Sequence, residues 1–182
     1  MPNNNTTVEL ELTYLARELP EEIFSTKPTK MTDVYVPESS EHPRLRIRRK
    51  GEGYEITKKV PVSEGDSSKH LESTIPIDKD EFKALAKSSS KQVSKYRYNV
   101  VIDGSPAEVD VFDGDLSGLV VIDFEFNDEI SKSKFTPPDC CLVDVTEEMF
   151  IAGGILAGKK YEDIVPELDR LNYKKISTTE LS

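Results

Sequence analysis

The stretch Val8-Glu9-Leu10-Glu11-Leu12 decides the fold class, because charged and apolar residues alternate in it with a period of two. In a β-strand, residues two apart share one face of the sheet. The stretch therefore predicts a strand with two carboxylates on one face and apolar side chains on the other. The same spacing returns further along the chain as Arg46-Ile47-Arg48, Lys95-Tyr96-Arg97, Glu108-Val109-Asp110 and Asp123-Phe124-Glu125.

Turn residues divide the rest of the chain into strands, most of them joined as hairpins. Gly51-Glu52-Gly53 and Asp103-Gly104-Ser105 are two such turns. The pattern predicts strands at about 7–15, 31–36, 44–50, 54–60, 69–76, 92–102, 106–113 and 118–127. It also predicts short helices within 19–24 and 79–88, the second begun by a capping box of Asp78 and Glu81.

The region after the last strand is predicted to be helical. Thr146 is a suitable N-cap, because Glu147 and Glu148 follow it at the positive end of the helix dipole. A final helix is expected within 161–171, where Pro166 would break the helix or start a new one. Residues 1–6 and about 176–182 are expected to be flexible tails.

Eight strands and few helices predict one α+β domain over residues 1–182, built on an antiparallel sheet. The apolar face of each strand must be covered, and two arrangements remain open: an open sheet with a wet face, or a closed barrel with a polar lumen. The net charge of −10 argues against non-specific binding to nucleic acid or to an anionic membrane.

Compartment and solubility follow from two further features. No stretch approaches the ~20 apolar residues of a membrane span, and Met1–Thr7 carries no apolar signal-peptide core. Cys140 and Cys141 are adjacent and are the only cysteines. A vicinal disulfide would be strained, so we expect two reduced thiols in a cytoplasmic protein.

The charged doublets could simply face water, as on any amphipathic strand. As a set, however, they combine seven acids with five bases once the same-face residues Lys59 and Glu72 are added. Charges gathered in one lumen would be unstable unless wet and liganded. Carboxylates suit Mg²⁺ or Mn²⁺, and Arg and Lys suit phosphate oxygens. The set therefore predicts a metal-dependent polyphosphate or nucleotide site, and no GxxxxGK[ST] loop indicates a P-loop protein instead.

The motifs resemble, in order, those of the CYTH or triphosphate tunnel metalloenzyme superfamily. The family's Glu-x-Glu-x-Lys signature matches Glu9-Leu10-Glu11-Leu12-Thr13, except at its last position. Its later strands have counterparts in Arg46-Ile47-Arg48, Thr57-Lys58-Lys59-Val60-Pro61, Glu72, Lys95-Tyr96-Arg97, Glu108-Val109-Asp110 and Gly118-Leu119 through Asp123-Phe124-Glu125. The matches run over about 9–125, most of the chain.

The resemblance implies an eight-stranded antiparallel β-barrel whose tunnel binds a small-molecule triphosphate with Mg²⁺ or Mn²⁺. The expected metal side is Glu9, Glu11, Glu108, Asp110, Asp123 and Glu125. The expected phosphate-binding residues are Arg46, Arg48, Lys59, Glu72, Lys95 and Arg97. We expect Glu9, Glu11, Lys59 and Arg97 to contribute most directly to catalysis, in a protein that is a monomer or homodimer and binds neither nucleic acid nor membrane.

Two positions depart from the family pattern. Thr13 replaces the signature Lys, and Thr74 stands where many members carry a second Glu; Lys30 or Lys50 could supply a substitute cation. The alternative to hydrolysis of inorganic tripolyphosphate, thiamine triphosphate or a nucleotide is a non-catalytic module that binds a phosphorylated ligand, or an adenylate cyclase. His70 shares the lumen face by parity and is a candidate for substrate contact.

Overall fold

Strands make up most of the fold in the computed structural model, which describes residues 6–181. The strands are β1 (Thr6–Ala16), β2 (Thr29–Val36), β3 (Leu45–Lys50), β4 (Gly53–Pro61), β5 (Lys69–Ile77), β6 (Gln92–Ile102), β7 (Ser105–Phe112), β8 (Val120–Phe126) and β9 (Cys141–Asp144). The helices are α1 (Lys79–Ala86), α2 (Glu129–Ser133), α3 (Gly153–Leu156) and α4 (Tyr161–Arg170).

Eight of these strands close into an antiparallel barrel. Their order is β5-β4-β3-β2-β6-β7-β8-β1, and β1 pairs back onto β5 to complete the ring. β9 lies outside the ring and pairs with the last residues of β1. This closure confirms the predicted α+β barrel and decides between the two arrangements that strand alternation left open.

The alternation of side chains along the strands separates a polar lumen from an apolar outer face. Val109, Ile122 and Phe124 point outward and are completely buried. Ile23, from a short 3₁₀ turn at Glu21–Ser25, and Phe135 pack over this outer face. The turn lies within the short helix predicted at 19–24. Fully burying each such side chain stabilises the fold by about 1.5–3 kcal/mol, so the outer face supplies much of the hydrophobic core.

The C-terminal region forms a second hydrophobic cluster. Leu156 of α3 and Ile164 and Leu168 of α4 are buried against Leu15 and the end of the barrel. Tyr173 is buried as well, and its hydroxyl bridges the chain at β8 by accepting from Val120 N–H and donating to the Gly118 carbonyl. These contacts attach the C-terminal helices to one end of the barrel.

Several predictions for the chain ends were wrong. Thr146 does not cap a helix; it lies in a turn after β9, a strand that the sequence pattern did not predict, and its hydroxyl bonds Asp144. Pro166 sits inside α4 without ending it. Thr6 begins β1, and Ile176 packs in the core and donates its N–H to Gly118, so these parts of the expected tails are ordered by pairing. Residues 1–5 and 182 lie outside the described residues.

The predicted strand positions agree with the structure to within about two residues. Helix α1 has the expected capping box and ends two residues before the predicted limit. Both cysteines are free thiols, as expected. Among residues 6–181, no helix is long and apolar enough to cross a membrane.

Candidate functional site

The barrel encloses a cavity of about 540 Å³. Strand alternation aims the charged doublets into it, and the structure brings all of the predicted site residues to its wall. These are Glu9, Glu11, Arg46, Arg48, Lys59, Glu72, Lys95, Arg97, Glu108, Asp110, Asp123 and Glu125. Which of them bind metal and which bind phosphate remains a prediction.

Glu9, Glu11, Asp123 and Glu125 form an acidic sector on the neighbouring strands β1 and β8. Glu11 stands directly opposite Glu125, an arrangement of like charges that destabilises a sheet. Burial, then Glu11 and Asp110, raise the pKa of Asp123 to about 7. Burial and the neighbouring carboxylates likewise raise the pKa of Glu125. Although burial opposes it, Lys59 lowers the pKa of Glu11, so the negative charge that the protein leaves uncompensated is centred on Asp123 and Glu125.

Asp33, Arg48, Lys95, Arg97 and Asp110 form a paired sector on β2, β3, β6 and β7. Arg97 grips Asp110 through two nitrogens, with Nε at 2.7 Å from Oδ1 and Nη2 at 2.6 Å from Oδ2. Lys95 binds the same carboxylate. Although burial raises the pKa of Asp110, Arg97 and Lys95 together hold that pKa well below its usual range. Burial and the positive charges around Lys95 lower the pKa of its ammonium group.

Asp33 is the member of this sector that sequence reasoning missed. It lies opposite Arg48 in the β2–β3 register and accepts from Arg48 Nε at 2.6 Å and from Nη2 at 2.7 Å. Both side chains are about 95% buried, and Arg48 lowers the pKa of Asp33 to about 2 against the opposing effect of burial. The available signal was parity, since Asp33 lies two residues from Tyr35 on β2 and Tyr35 lines the cavity.

Arg46, Lys59 and His70 form a basic wall on β3, β4 and β5. Lys59 Nζ lies 2.6 Å from Glu11 Oε1 and 3.2 Å from Glu9 Oε2. The two carboxylates raise the pKa of Lys59 although burial opposes them. Arg46 contacts Glu72 through Nη2 at 3.1 Å. The side chains of Arg46 and Lys59 are 17% and 23% exposed, more than those of the paired sector.

Arg97 also links the paired sector to the acids on β7 and β8. Its Nη1 binds Glu108, and its Nη2 lies 3.8 Å from Asp123 Oδ2. One guanidinium therefore reaches three carboxylates, and burial of Arg97 does not prevent them from raising its pKa. Arg97 thus connects the paired sector with Glu108 and with Asp123 of the acidic sector.

At the first departure from the family pattern, Thr13 is engaged with the acidic sector. Its hydroxyl donates to Asp123 Oδ1 at 2.7 Å, and its backbone N–H donates to Thr146 Oγ1. Of the two proposed substitute cations, Lys50 lines the cavity, whereas Lys30 is half exposed and pairs with Asp113. The Thr13 hydroxyl forms a hydrogen bond with Asp123, but it does not supply the positive charge of the family lysine.

The C-terminal region forms part of the cavity wall. Gly153 and Gly154 line the cavity, packed against Tyr35 and Pro43 respectively. A Cβ at Gly153 would lie 2.1 Å from the Tyr35 hydroxyl, and one at Gly154 would lie 2.2 Å from the Pro43 carbonyl oxygen. Glycine at both positions lets the backbone approach Tyr35 and Pro43 this closely beside the site.

The donor chemistry of the acidic sector suits a divalent cation. Within residues 6–181, no three Asp, Glu, His or Cys side chains are arranged to hold a metal ion together. The carboxylates of the acidic sector nevertheless offer several oxygen ligands, and burial together with neighbouring carboxylates raises the pKa values of Glu9, Asp123 and Glu125. Hard cations such as Mg²⁺ prefer such oxygen donors.

Comparison with known proteins supports the fold and the motif order. No protein-family model matches the chain. The inorganic triphosphatase of Nitrosomonas europaea is 33% identical over 142 residues, which cover 77% of this chain and 90% of that protein. The crystal structure of an inorganic triphosphatase superposes with a TM-score of 0.61 at 28% identity, covering 82% of this chain and 93% of the other.

A second crystal structure of that protein gives a TM-score of 0.62 at 30% identity, covering 84% of this chain and 99% of the other. The closed eight-stranded barrel, the inward charged doublets and the similarity over nearly the whole length of a curated relative agree with one another. The chain therefore belongs to the CYTH, or triphosphate tunnel metalloenzyme, superfamily.

Proposed function

We propose that this protein hydrolyses a triphosphate, inorganic tripolyphosphate or a small organic triphosphate, in its tunnel with the help of a divalent metal ion. The observation that carries the proposal is that the five cations and seven carboxylates of the predicted site all line one cavity. The relatives named as inorganic triphosphatases support the same reaction class.

The basic wall, together with Lys95 and Arg97, would bind the phosphate chain. Arg46 and Arg97 offer planar sets of donors suited to phosphate oxygens, and Lys59 and Lys95 add compact positive charges. The transition state of phosphoryl transfer carries more negative charge on its equatorial and leaving oxygens than the ground state does. Cations held in place by the barrel would stabilise that charge without having to reorganise.

Glu9, Glu11, Asp123 and Glu125, with Glu108 and Asp110 nearby, would hold Mg²⁺ or Mn²⁺ against the phosphate chain. When bound, the metal would polarise a phosphoryl oxygen and lower the pKa of a coordinated water. The protein's own carboxylates would then orient the attacking water and accept its proton. Glu9 is suited to this role because burial raises its pKa while a quarter of its side chain remains exposed.

A phosphate-release assay tests the proposal. Tripolyphosphate, ATP and thiamine triphosphate are supplied separately, each with Mg²⁺, with Mn²⁺ and with EDTA. We expect metal-dependent release from at least one of them, and a loss of about 10²-fold or more in Glu9→Gln and Arg97→Ala. Arg49→Ala is the matched control, because Arg49 lies beside Arg48 on β3 but faces outward and is half exposed.

Other outcomes would identify the alternatives. Thermal stabilisation by tripolyphosphate without phosphate release would contradict hydrolysis and favour a binding module. Release of pyrophosphate and a cyclic nucleotide from ATP would instead indicate a cyclase. Unchanged activity and binding in both cavity variants would contradict the assignment of the lumen as the site.

A further inference from the structure

Two buried side-chain nitrogens in the part of the chain from 6 to 181 have no hydrogen-bond partner, and both belong to the basic wall. They are Arg46 Nε and His70 Nδ1. Both residues line the tunnel cavity. Leaving a buried polar group unpaired costs about 1–3 kcal/mol. Such a group in a native structure therefore calls for an explanation, of which a ligand or an ordered water is a common one.

The alternation of β5 aims His70 into the lumen. Leu71 points outward and is 37% exposed, whereas His70 and Glu72 point inward and line the cavity. His70 lies opposite Glu9 of β1 on one side and opposite Pro61 of β4 on the other. Its side chain is 17% exposed, so the imidazole forms part of the tunnel wall and not of the outer surface.

None of the described residues around His70 forms a hydrogen bond with its Nδ1. Glu11 Oε1 lies 3.6 Å from this nitrogen, which is beyond hydrogen-bond distance. The same oxygen accepts instead from Lys59 Nζ at 2.6 Å. Pro61, on the opposite strand, has no polar side-chain atom to offer. The unpaired nitrogen therefore faces the cavity on the same wall as two cations, Lys59 and Arg46.

We propose that His70 is a further substrate-binding residue, whose Nδ1–H donates to an oxygen of the phosphate chain, as does the unpaired Arg46 Nε–H. This inference rests on the proposed function only in taking a polyphosphate as the ligand of the tunnel. A phosphate chain presents many acceptor oxygens and can accept a hydrogen bond from both nitrogens at once. A neutral imidazole also adds a directional hydrogen bond without adding to the repulsion between Lys59 and Arg46.

Binding of inorganic tripolyphosphate to the whole chain, measured by titration calorimetry in EDTA, tests the proposal without turnover. We expect His70→Ala to weaken binding about tenfold, the loss of one hydrogen bond to a charged group. His70→Asn should restore most of the affinity, because its amide nitrogen can occupy the position of Nδ1. His70→Gln, whose amide reaches the position of Nε2, should bind as weakly as His70→Ala.

Lys69→Ala serves as the matched control, because Lys69 is the preceding residue on β5, faces outward and pairs with Glu129. It removes a full positive charge from the same strand, and we expect it to bind tripolyphosphate as the wild type does. Melting temperatures without ligand show whether each variant is folded. Affinity unchanged in His70→Ala, or lost equally in the Asn and Gln variants, would overturn the proposal.

The result is separable from the proposed function. If the wild type binds tripolyphosphate, loses affinity in His70→Ala and yet releases no phosphate, hydrolysis is contradicted while the role of His70 stands. If the wild type hydrolyses tripolyphosphate with the same KM in His70→Ala, the role of His70 is contradicted while hydrolysis stands. A wild type that does not bind tripolyphosphate in EDTA, and releases no phosphate from any of the three triphosphates with Mg²⁺ or Mn²⁺, would overturn both.

Discussion

The paired sector and the acidic sector both contribute side chains to the same tunnel, yet Asp33 and Asp123, one carboxylate from each sector, have pKa values shifted in opposite directions. Arg48 lowers the pKa of Asp33 to about 2, whereas burial and neighbouring acids raise that of Asp123 to about 7. Burial acts on both groups, so the difference lies in their partners. Asp33 has a bidentate arginine to itself, while Asp123 has a threonine hydroxyl and an arginine 3.8 Å away that is committed to Asp110.

The paired sector and the acidic sector therefore have different roles in the tunnel. Ion pairs that are closed within the protein hold β2, β3, β6 and β7 in register and fix the direction of Arg97 and Lys95. Charges that the protein leaves uncompensated are available to a ligand, and their cost in the free protein is recovered when the ligand binds. The comparison makes the paired sector the scaffold and the acidic sector the metal-facing side of the proposed site.

Breaking the paired sector should produce the largest effect. Asp33→Ala leaves Arg48 buried without its bidentate partner, so we expect the free energy of unfolding to fall by about 3–5 kcal/mol. Urea denaturation measures this. Glu52→Ala removes the 98% exposed partner of Arg49 and should change the free energy of unfolding by less than about 0.5 kcal/mol. A loss below about 1 kcal/mol in Asp33→Ala would contradict the scaffold role.

The stability that the acidic sector contributes should fall as the pH rises. The folded pKa of Asp123, about 7, exceeds the ordinary value of 3.8, so the folded protein holds the extra proton between these limits. Stability of the metal-free protein is therefore fully present near pH 4 and falls as the pH rises towards 7, by up to about 4 kcal/mol for this group. Asp123→Asn keeps the acceptor for Thr13 and should remove that part of the slope.

Urea denaturation in EDTA at pH 5, 6, 7 and 8 measures the difference between wild type and Asp123→Asn. The variant should be the more stable protein at pH 8 and should lose its advantage towards pH 5. A wild-type protein that is stabilised by Asp123 at pH 8 would show that this carboxylate is compensated, and the contrast between the two sectors would fail.

Divalent metal should stabilise the acidic sector by a smaller amount. At one hundred times the dissociation constant, Mg²⁺ or Mn²⁺ adds about 2.7 kcal/mol of stability, or roughly 5–10 °C in Tm for a chain of this size. We expect this shift in the wild type and its loss in Glu125→Gln. Glu52→Gln, which removes an exposed carboxylate outside the cavity, should keep the shift. Equal shifts in both variants would place the metal elsewhere.

The smallest effect concerns the departure at Thr13. Thr13→Lys restores the cation of the family signature next to Asp123, so we expect an increase of a few-fold in the rate of tripolyphosphate hydrolysis. Thr13→Val, which removes the hydroxyl that donates to Asp123, should lower the stability of the protein by about 1 kcal/mol instead. A lower rate in Thr13→Lys would show that the threonine suits this chain's own chemistry.

The period-two pattern predicted the strands and their inward faces because side-chain direction along a strand is a local property of the backbone. Glu9, Glu11, Asp123 and Glu125 could be placed on one face in this way. Asp33 was missed because it stands alone among apolar neighbours and makes no doublet. Its importance arises only when β2 and β3 are paired in register. The turn at Thr146 and strand β9 were missed because Thr146 and the two acids that follow it resemble a helix start.

The sequence by itself determined that alternating strands carry acids and bases on one face, and the order of the motifs pointed to the family. Only the tertiary structure decided that the sheet closes, which carboxylate meets which cation, and which nitrogens remain unpaired. The physical reason is that the two kinds of property depend on interactions over different separations along the chain. The face of a side chain is set by its neighbours in the chain, whereas its pKa and partners are set by residues such as Arg48 for Asp33 and Lys59 for Glu11, 15 and 48 positions away.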